Sequence, residues 1–189
     1  MKEFQGISVH MEKSRRKSIS IRIDRDGTIL VKAPYFCREA EIGAVLESKK
    51  DWILKTREKV IEQKQLADAA GHLSAEEIRA LADQALQVIP DKVRYYAEKI
   101  GVTYGRITIR CQKTRWGSCS REGNLNFNCL LMLAPEEVQD AIVVHELCHR
   151  KEMNHSDRFY AEVLRVCPDY HKWNRWLKEH GGELLGRVL

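Results

Sequence analysis

The chain contains 189 residues, of which 43% are hydrophobic and 31% are charged, and its formal net charge is +5. This is the composition of an ordinary soluble protein with one sizeable core, or with a core and an appendage. No stretch reaches the roughly 18 apolar residues that span a bilayer, and no apolar core follows a basic lead at the start, so we expect a cytoplasmic protein. The six cysteines form no Cys-x-x-Cys pair, which argues against a zinc ribbon or a disulfide framework and favours reduced, mostly buried thiols.

The first part of the chain predicts a β-hairpin followed by a long helix. Isoleucines alternate with polar residues from Ser18, and the alternation resumes after a turn at residues 24–27 and ends at Pro34. Apolar residues at three- and four-residue spacing then predict one helix over about residues 38–66. We expect residues 1–70 to form an N-terminal domain of these elements. Its lysines and arginines permit a nucleic-acid partner, although most such faces are simply solvated.

A second helix is predicted after the interruption Gly71-His72-Leu73. Ser74 and Glu77 have the spacing of a capping box, and Gly101 is placed to end the helix. Because proline lacks an amide hydrogen and its ring clashes with the preceding turn, we expect Pro90 to kink or restart this helix.

Beyond Gly101 the hydrophobic period becomes that of strands. Ile107 and Ile109 alternate with polar residues, and after a turn at Glu122-Gly123 apolar residues alternate with asparagines over residues 124–129. This pattern predicts a second, antiparallel sheet. Three more helices are then predicted, beginning near Pro135, at the cap Ser156 and near Pro168-Asp169. The fold class is therefore α+β.

An otherwise apolar run near the carboxyl end contains His145, Glu146 and His149. One helical turn separates the two histidines, so both imidazoles lie on one face and can bind one ion, with the carboxylate beside them. Without partners in a buried helix these groups would cost several kcal/mol, whereas Zn²⁺ satisfies the imidazoles. The His-Glu-x-x-His (HExxH) pattern also occurs by chance on exposed helices, but the uncharged flanks here predict a buried metal site.

Catalytic zinc normally has three protein ligands and one open position, so a third ligand must follow. His155 is the first candidate, because it lies six residues after His149, as in metzincin motifs. That spacing requires a sharp helix end, and since Glu152 stands where metzincins have glycine, we expect Asn154 to end the helix in the left-handed conformation. The alternative role for His155 is a helix-capping surface histidine. Competing third ligands are Glu162, His171 and His180.

The expected chemistry is hydrolysis of a peptide bond by water. Zinc held by three neutral imidazoles lowers the pKa of bound water to roughly 7. Glu146 would accept the water's proton and later pass it to the leaving amine. The side chain that supports the oxyanion cannot be identified from the sequence, and the candidates are Tyr160, Tyr170, Arg115 and His171.

Candidate substrate-binding residues are Asn126, Asn128, Trp116 and Tyr160. The strand over residues 124–129 could offer an exposed sheet edge to which an extended peptide adds through backbone hydrogen bonds. Its asparagines could equally face solvent. Trp116 could wall the substrate site or simply pack over Gly117 in a hairpin.

Four separated motifs resemble the YgjP-like metallopeptidases, bacterial zincins related to the SprT-like and WLM groups. The motifs are Lys113-Thr114-Arg115-Trp116-Gly117-Ser118-Cys119, Leu125-Asn126-Phe127-Asn128, Val144-His145-Glu146-Leu147-Cys148-His149, and Asn154-His155-Ser156 with Phe159. The resemblance implies a minimal zincin-like catalytic domain over residues 71–189, with a small antiparallel sheet and the HExxH helix. It also implies zinc held by His145, His149 and His155, with Glu146 as the base.

We therefore expect a zinc metallopeptidase that acts on a protein or peptide substrate. The alternative is a module in which zinc braces the fold and the basic N-terminal half binds nucleic acid or nucleoprotein, including a protease recruited to DNA-bound proteins. A third possibility is hydrolysis of a non-peptide amide by the same metal geometry.

Overall fold

A computed structural model describes residues 2–188 and shows a mixed α+β fold with two small sheets. The predicted fold class is confirmed. The described residues form two compact units, which divide between Ala69 and Ala70. Within this part of the chain every helix is too short or too polar to cross a bilayer.

The N-terminal unit contains a four-stranded sheet. Its strands are β1 (Glu3–Phe4), β2 (Ile7–Ser14), β3 (Ser20–Ile23) and β4 (Ile29–Pro34), in the order β1-β2-β4-β3. The predicted hairpin is the antiparallel pair of β3 and β4, in which Ile21 lies opposite Val31. β2 pairs in parallel with β4, so that Ser14 lies beside Pro34 at the end of both strands.

The long helix predicted over residues 38–66 is two helices, α1 (Glu39–Ser48) and α2 (Lys50–Ala70), which are separated at Lys49. Ile42, Leu46 and Ile53 are fully buried in the core that the helices share with the sheet. Trp52 is 48% exposed and lies outside this core, whereas its neighbour Ile53 faces it.

The second unit begins with α3 (Ala75–Ile100). The capping box is present, since Ser74 Oγ accepts the Glu77 amide and a Glu77 carboxylate oxygen accepts the Ser74 amide. Gly101 ends α3 with a left-handed φ of 76°. Pro90 does not divide the helix, because Ile89 and Val93 on either side are fully buried and this packing holds the helix through the proline.

The sheet of the second unit is mixed, and the prediction of a wholly antiparallel sheet is wrong. Its strands are β5 (Ile107–Arg110), β6 (Gly117–Cys119) and β7 (Leu125–Asn128), in the order β5-β7-β6. β6 and β7 are antiparallel, whereas β5 and β7 are parallel. The central strand is therefore β7, and β6 lies at one edge.

The remaining chain is helical. A 3-10 helix (Cys129–Leu133) follows β7 and leads to α4 (Glu136–Cys148), α5 (Asp157–Val166) and α6 (Tyr170–Gly186). These helices begin near the three predicted positions. The core joins the buried face of α3, the sheet, α4 and Phe159 of α5. It places the last turn of α4 against β6 and the start of α6, where the candidate site lies.

Candidate active site

The three predicted histidines lie together at the end of α4. His145 is in the last turn, His149 caps the helix, and His155 lies in the loop before α5. One ring nitrogen from each lies within 4.8 Å of the others. The Nε2 atoms of His145 and His155 are 3.1 Å apart. Three nitrogen ligand atoms thus face one point, with His155 on the solvent side.

The turn that returns His155 to the helix differs from the expected one. α4 ends at Cys148, and the amides of Arg150 and Lys151 donate to carbonyls of its last turn. The expected left-handed Asn154 is wrong, because among residues 2–188 only Gln5 is a non-glycine residue with positive φ. Asn154 instead accepts the amide of Ser156 through its carbonyl, and Ser156 caps α5.

The Nδ1 atoms of two histidines have their own partners. His149 Nδ1 lies 3.1 Å from the carbonyl oxygen of Glu152, which can only accept, so Nδ1 must carry the proton. His145 Nδ1 lies 2.8 Å from the hydroxyl of Tyr170. In metal sites such outer partners fix the ring and leave the opposite nitrogen as the ligand. Tyr170 thus orients His145, and when its oxygen accepts from Nδ1 its own hydroxyl proton is left to donate elsewhere.

Burial favours the neutral form of His145 and His149, which is the form that binds a metal. It lowers the pKa of His145 to about 3, and the neighbouring His149 and His155 contribute in the same direction. Burial also lowers the pKa of His149. The donor set and the shared point fit a metal ion held by three imidazoles.

Phe159 forms an apolar wall behind the three histidines. Its ring centroid lies 4.9 Å from that of His145, 4.6 Å from that of His149 and 4.9 Å from that of His155. The side chain is fully buried. Phe159 belongs to the fourth sequence motif, but its position there does not by itself indicate contact with all three imidazoles.

Glu146 is only 6% exposed and faces β6. Burial raises the pKa of its carboxyl to about 8, and the charge of Arg115 opposes this shift. A β-carbon on Gly117 would lie 2.6 Å from Glu146 Oε1, so only glycine leaves room for the carboxylate at this point. The sequence interpretation had considered Gly117 only as a packing partner for Trp116.

Arg150, directly after the second histidine, connects α4 to the loops around the sheet. Its guanidinium donates from Nε to Thr103 O at 3.0 Å and from Nη1 to Arg121 O at 2.8 Å. Gly123 leaves space for it, because a β-carbon there would lie 2.8 Å from the guanidinium carbon. This contact fixes the helix end that carries His149.

The competing third ligands lie elsewhere. Glu162 is paired with Lys151 and Arg165, and these partners lower the pKa of its carboxyl. His180 packs on the ring of Trp176, with centroids 4.6 Å apart. His171 is exposed beside Tyr160, with ring centroids 6.1 Å apart. Among the described residues the ligand cluster contains neither Glu162 nor these two histidines.

The two candidate asparagines are held within the sheet region. Asn128 is 1% exposed, and its amide donates to Gln112 O at 2.7 Å and to Arg115 O at 3.0 Å. It anchors the loop before β6 and is not available to a substrate. Asn126 donates to Ser118 Oγ at 3.2 Å across the β6–β7 pair. Since β7 is central, the expectation that its strand forms the free edge is wrong, and β6 takes that place.

The aromatic candidates occupy different surroundings. Trp116 lies against Gly181 of α6, where a β-carbon would be 3.1 Å from the indole. Tyr160 is half-buried, and its ring centroid lies 6.3 Å from that of His155. Tyr160 is thus the aromatic candidate on the His155 side of the site.

The contact between Gly117 and Glu146 predicts a specific energetic coupling. We expect Gly117→Ala to lower the free energy of unfolding by about 1–3 kcal/mol, because the new methyl group overlaps the Glu146 carboxylate. In a Glu146→Ala background the same change should cost much less. Urea unfolding of the four proteins measures the coupling. An equal cost in both backgrounds would show that the strain does not come from Glu146.

No curated protein matches the chain in sequence. The fold is similar to the crystal structure of the metallopeptidase zymogen of Pyrococcus abyssi abylysin, with 23% identity over 49% of this chain and 94% of that chain and a TM-score of 0.45. It is also similar to the metallopeptidase zymogen of Methanocaldococcus jannaschii jannalysin, with 25% identity over 47% of this chain and 96% of that chain and a TM-score of 0.40.

The family comparison covers most of the chain. The model of the YgjP-like metallopeptidase domain matches residues 17–81 and 67–180. The second matched segment contains all three clustered histidines and Glu146. On this match, the chain belongs to the YgjP-like metallopeptidase family.

Proposed function

We propose that the protein is a zinc-dependent peptidase whose catalytic site lies in its second unit. His145, His149 and His155 would hold the metal, and Glu146 would act as the general base. The observation that carries this proposal is the meeting of three imidazole nitrogens within 4.8 Å beside a buried glutamate. Three protein ligands leave the fourth zinc position for water or substrate, as catalytic sites require.

The donor set favours zinc. Imidazole suits zinc and its neighbours in the first transition row, whereas magnesium and calcium take oxygen ligands. Zinc–nitrogen bonds of about 2.0–2.1 Å in a tetrahedron place ligand nitrogens roughly 3.3 Å apart. The observed 3.1 Å between His145 and His155 is close to that separation, and the cluster as a whole spans up to 4.8 Å, wider than the tetrahedral value.

Glu146 would transfer the proton during this reaction. Bound zinc supplies Lewis acidity, which polarises the scissile carbonyl and acidifies water. Glu146 is ionised when a dication lies beside it, because that charge opposes the effect of burial on its pKa. Its carboxylate then accepts the proton of the attacking water and delivers it to the leaving amine.

The edge strand β6 is suited to bind an extended substrate. Among the described residues it pairs only with β7, so its outer backbone groups can bond to a peptide added as a further strand. Gly117 in β6 lies against Glu146, which brings such a peptide close to the general base. Backbone recognition of this kind supports a protein or peptide substrate with little dependence on its side chains.

Metal content tests the ligand set directly. We expect about one zinc per chain after dialysis, and loss of that zinc in His155→Ala, because two imidazoles alone hold the ion weakly. His171→Ala and His180→Ala are matched controls that should keep it. Elemental analysis measures the metal content of each protein. In a separate assay, cleavage of a denatured protein substrate by the wild type should stop when a chelator is added and resume when zinc is restored. Full zinc in His155→Ala would remove that residue from the ligand set.

Glu146→Gln separates chemistry from metal binding. The amide keeps the size of the side chain but cannot take a proton, so we expect retained zinc and a fall in turnover of about 10²–10⁴-fold. Glu152→Gln is the control, because only the backbone carbonyl of Glu152 contacts the site. A Glu146→Gln protein that cleaves as fast as the wild type would exclude the proposed base.

A second candidate function is nucleic-acid binding by the N-terminal unit. Tyr35 and Phe36, which are 64% and 81% exposed, directly follow β4. The basic run 15–17 directly follows β2, and the two strands are parallel and end side by side. Exposed aromatic rings beside basic groups are typical of proteins that bind single-stranded nucleic acid, because bases stack on the rings and phosphates pair with the cations.

This second candidate predicts binding that does not depend on proteolysis. We expect a single-stranded oligonucleotide to bind with an affinity that falls steeply with salt and drops about tenfold in Phe36→Ser. Tyr95→Ser, which changes an exposed aromatic residue of the other unit, is the control. Fluorescence anisotropy measures both. Salt-independent binding, or equal loss in the two variants, would contradict this role.

A further inference from the structure

Two cysteines occupy equivalent positions at the ends of neighbouring parallel strands. β5 and β7 pair from Ile107 with Leu125 to Arg110 with Asn128. The residue that follows each strand is a cysteine, Cys111 after β5 and Cys129 after β7. Adjacent strands lie about 4.8 Å apart, which falls within the Cα separation of roughly 4.4–6.8 Å that a disulfide spans.

The two thiols also lie close enough to influence each other's ionisation. Burial, followed by the charge of Cys111 and a side-chain hydrogen bond with it, raises the pKa of Cys129 to about 12. Cys129 is fully buried, whereas Cys111 is exposed. The Cys111 thiol is thus accessible to reagents in solution, whereas the Cys129 thiol is shielded from them. Cys119 differs, because its thiol is directed to the carbonyl of its neighbour Ser120 at 3.4 Å.

We propose that Cys111 and Cys129 are a redox-modification site, at which a peroxide oxidises the pair to an intramolecular disulfide. Hydrogen peroxide first converts the Cys111 thiol to a sulfenic acid and leaves as one water. The Cys129 sulfur then attacks the Cys111 sulfur, the S–S bond forms, and the sulfenic oxygen leaves with the Cys129 proton as a second water. Each sulfur loses one electron, and a dithiol reductant reverses the reaction by exchange.

The position of this pair connects it to the loop before β6. Cys111 directly precedes Gln112, and Cys129 directly follows Asn128. The side-chain amide of Asn128 anchors the loop by donating to the carbonyls of Gln112 and Arg115. A bond from 111 to 129 would close a ring that contains this loop and β6. Oxidation would therefore restrict the segment whose glycine lies against Glu146.

Thiol counting and peptide mapping test the proposal on the full chain. After incubation with hydrogen peroxide and removal of the excess, we expect the protein to lose two alkylatable thiols and two hydrogens in mass. Digestion should yield one linked pair of peptides containing Cys111 and Cys129, and dithiothreitol should separate them. Cys111→Ser should abolish the link, whereas Cys167→Ser, which removes another partly exposed thiol, should leave it intact.

Thermal unfolding provides a second measurement, which does not require a substitution at the buried Cys129. Because the bond closes a loop whose ends are already adjacent, the oxidised wild type should melt about 5 °C above the reduced protein. Cys111→Ser treated in the same way should show no such rise. Oxidation of Cys111 to sulfinic acid without a link, a link to another cysteine, or a lower melting temperature on linking would each overturn the proposal.

Discussion

The second unit depends on the burial of polar groups in the last turn of α4. Glu146 is almost enclosed, and His145 loses most of its affinity for a proton because it lies away from water. Groups of this kind are tolerated in a core only when their polar atoms have partners. The surrounding chain supplies partners for His145 and His149 and leaves space for the Glu146 carboxylate, and each contact restricts which residues the neighbouring element can carry.

These restrictions come from separate elements. The start of α6 gives Tyr170, whose hydroxyl meets His145. The loop after α4 gives the Glu152 carbonyl for His149. On the other side β6 must bring glycine to the carboxylate, since a side chain there would occupy the same space. Phe159 then fills the remaining side with a ring that cannot hydrogen-bond, so the imidazole nitrogens are directed to one another and to solvent.

Local sequence patterns predict the parts of this arrangement that arise within one element. The spacing of His145 and His149 follows from helix geometry, and the caps at Ser74 and Ser156 are formed by residues within one turn. The parallel pairing of β5 with β7 was not predicted, because alternation reports which face is buried and not which strand lies alongside. The close approach of Gly117 to Glu146 joins residues that are distant in sequence, so no local period reports it. In the N-terminal unit, β2 was missed although Ile7, Val9 and Met11 alternate.

Arg150 has a consequence for how the sequence of this family can diverge. One planar guanidinium reaches two carbonyls on separate loops, through nitrogens set at a fixed angle to each other. Lysine would preserve the positive charge, but its ammonium group is a compact point on a flexible stem and lacks that rigid fork. Replacing Arg150 by lysine would therefore release one of the two loops, although it preserves the charge. Related sequences should keep arginine at this position wherever they also keep glycine at position 123.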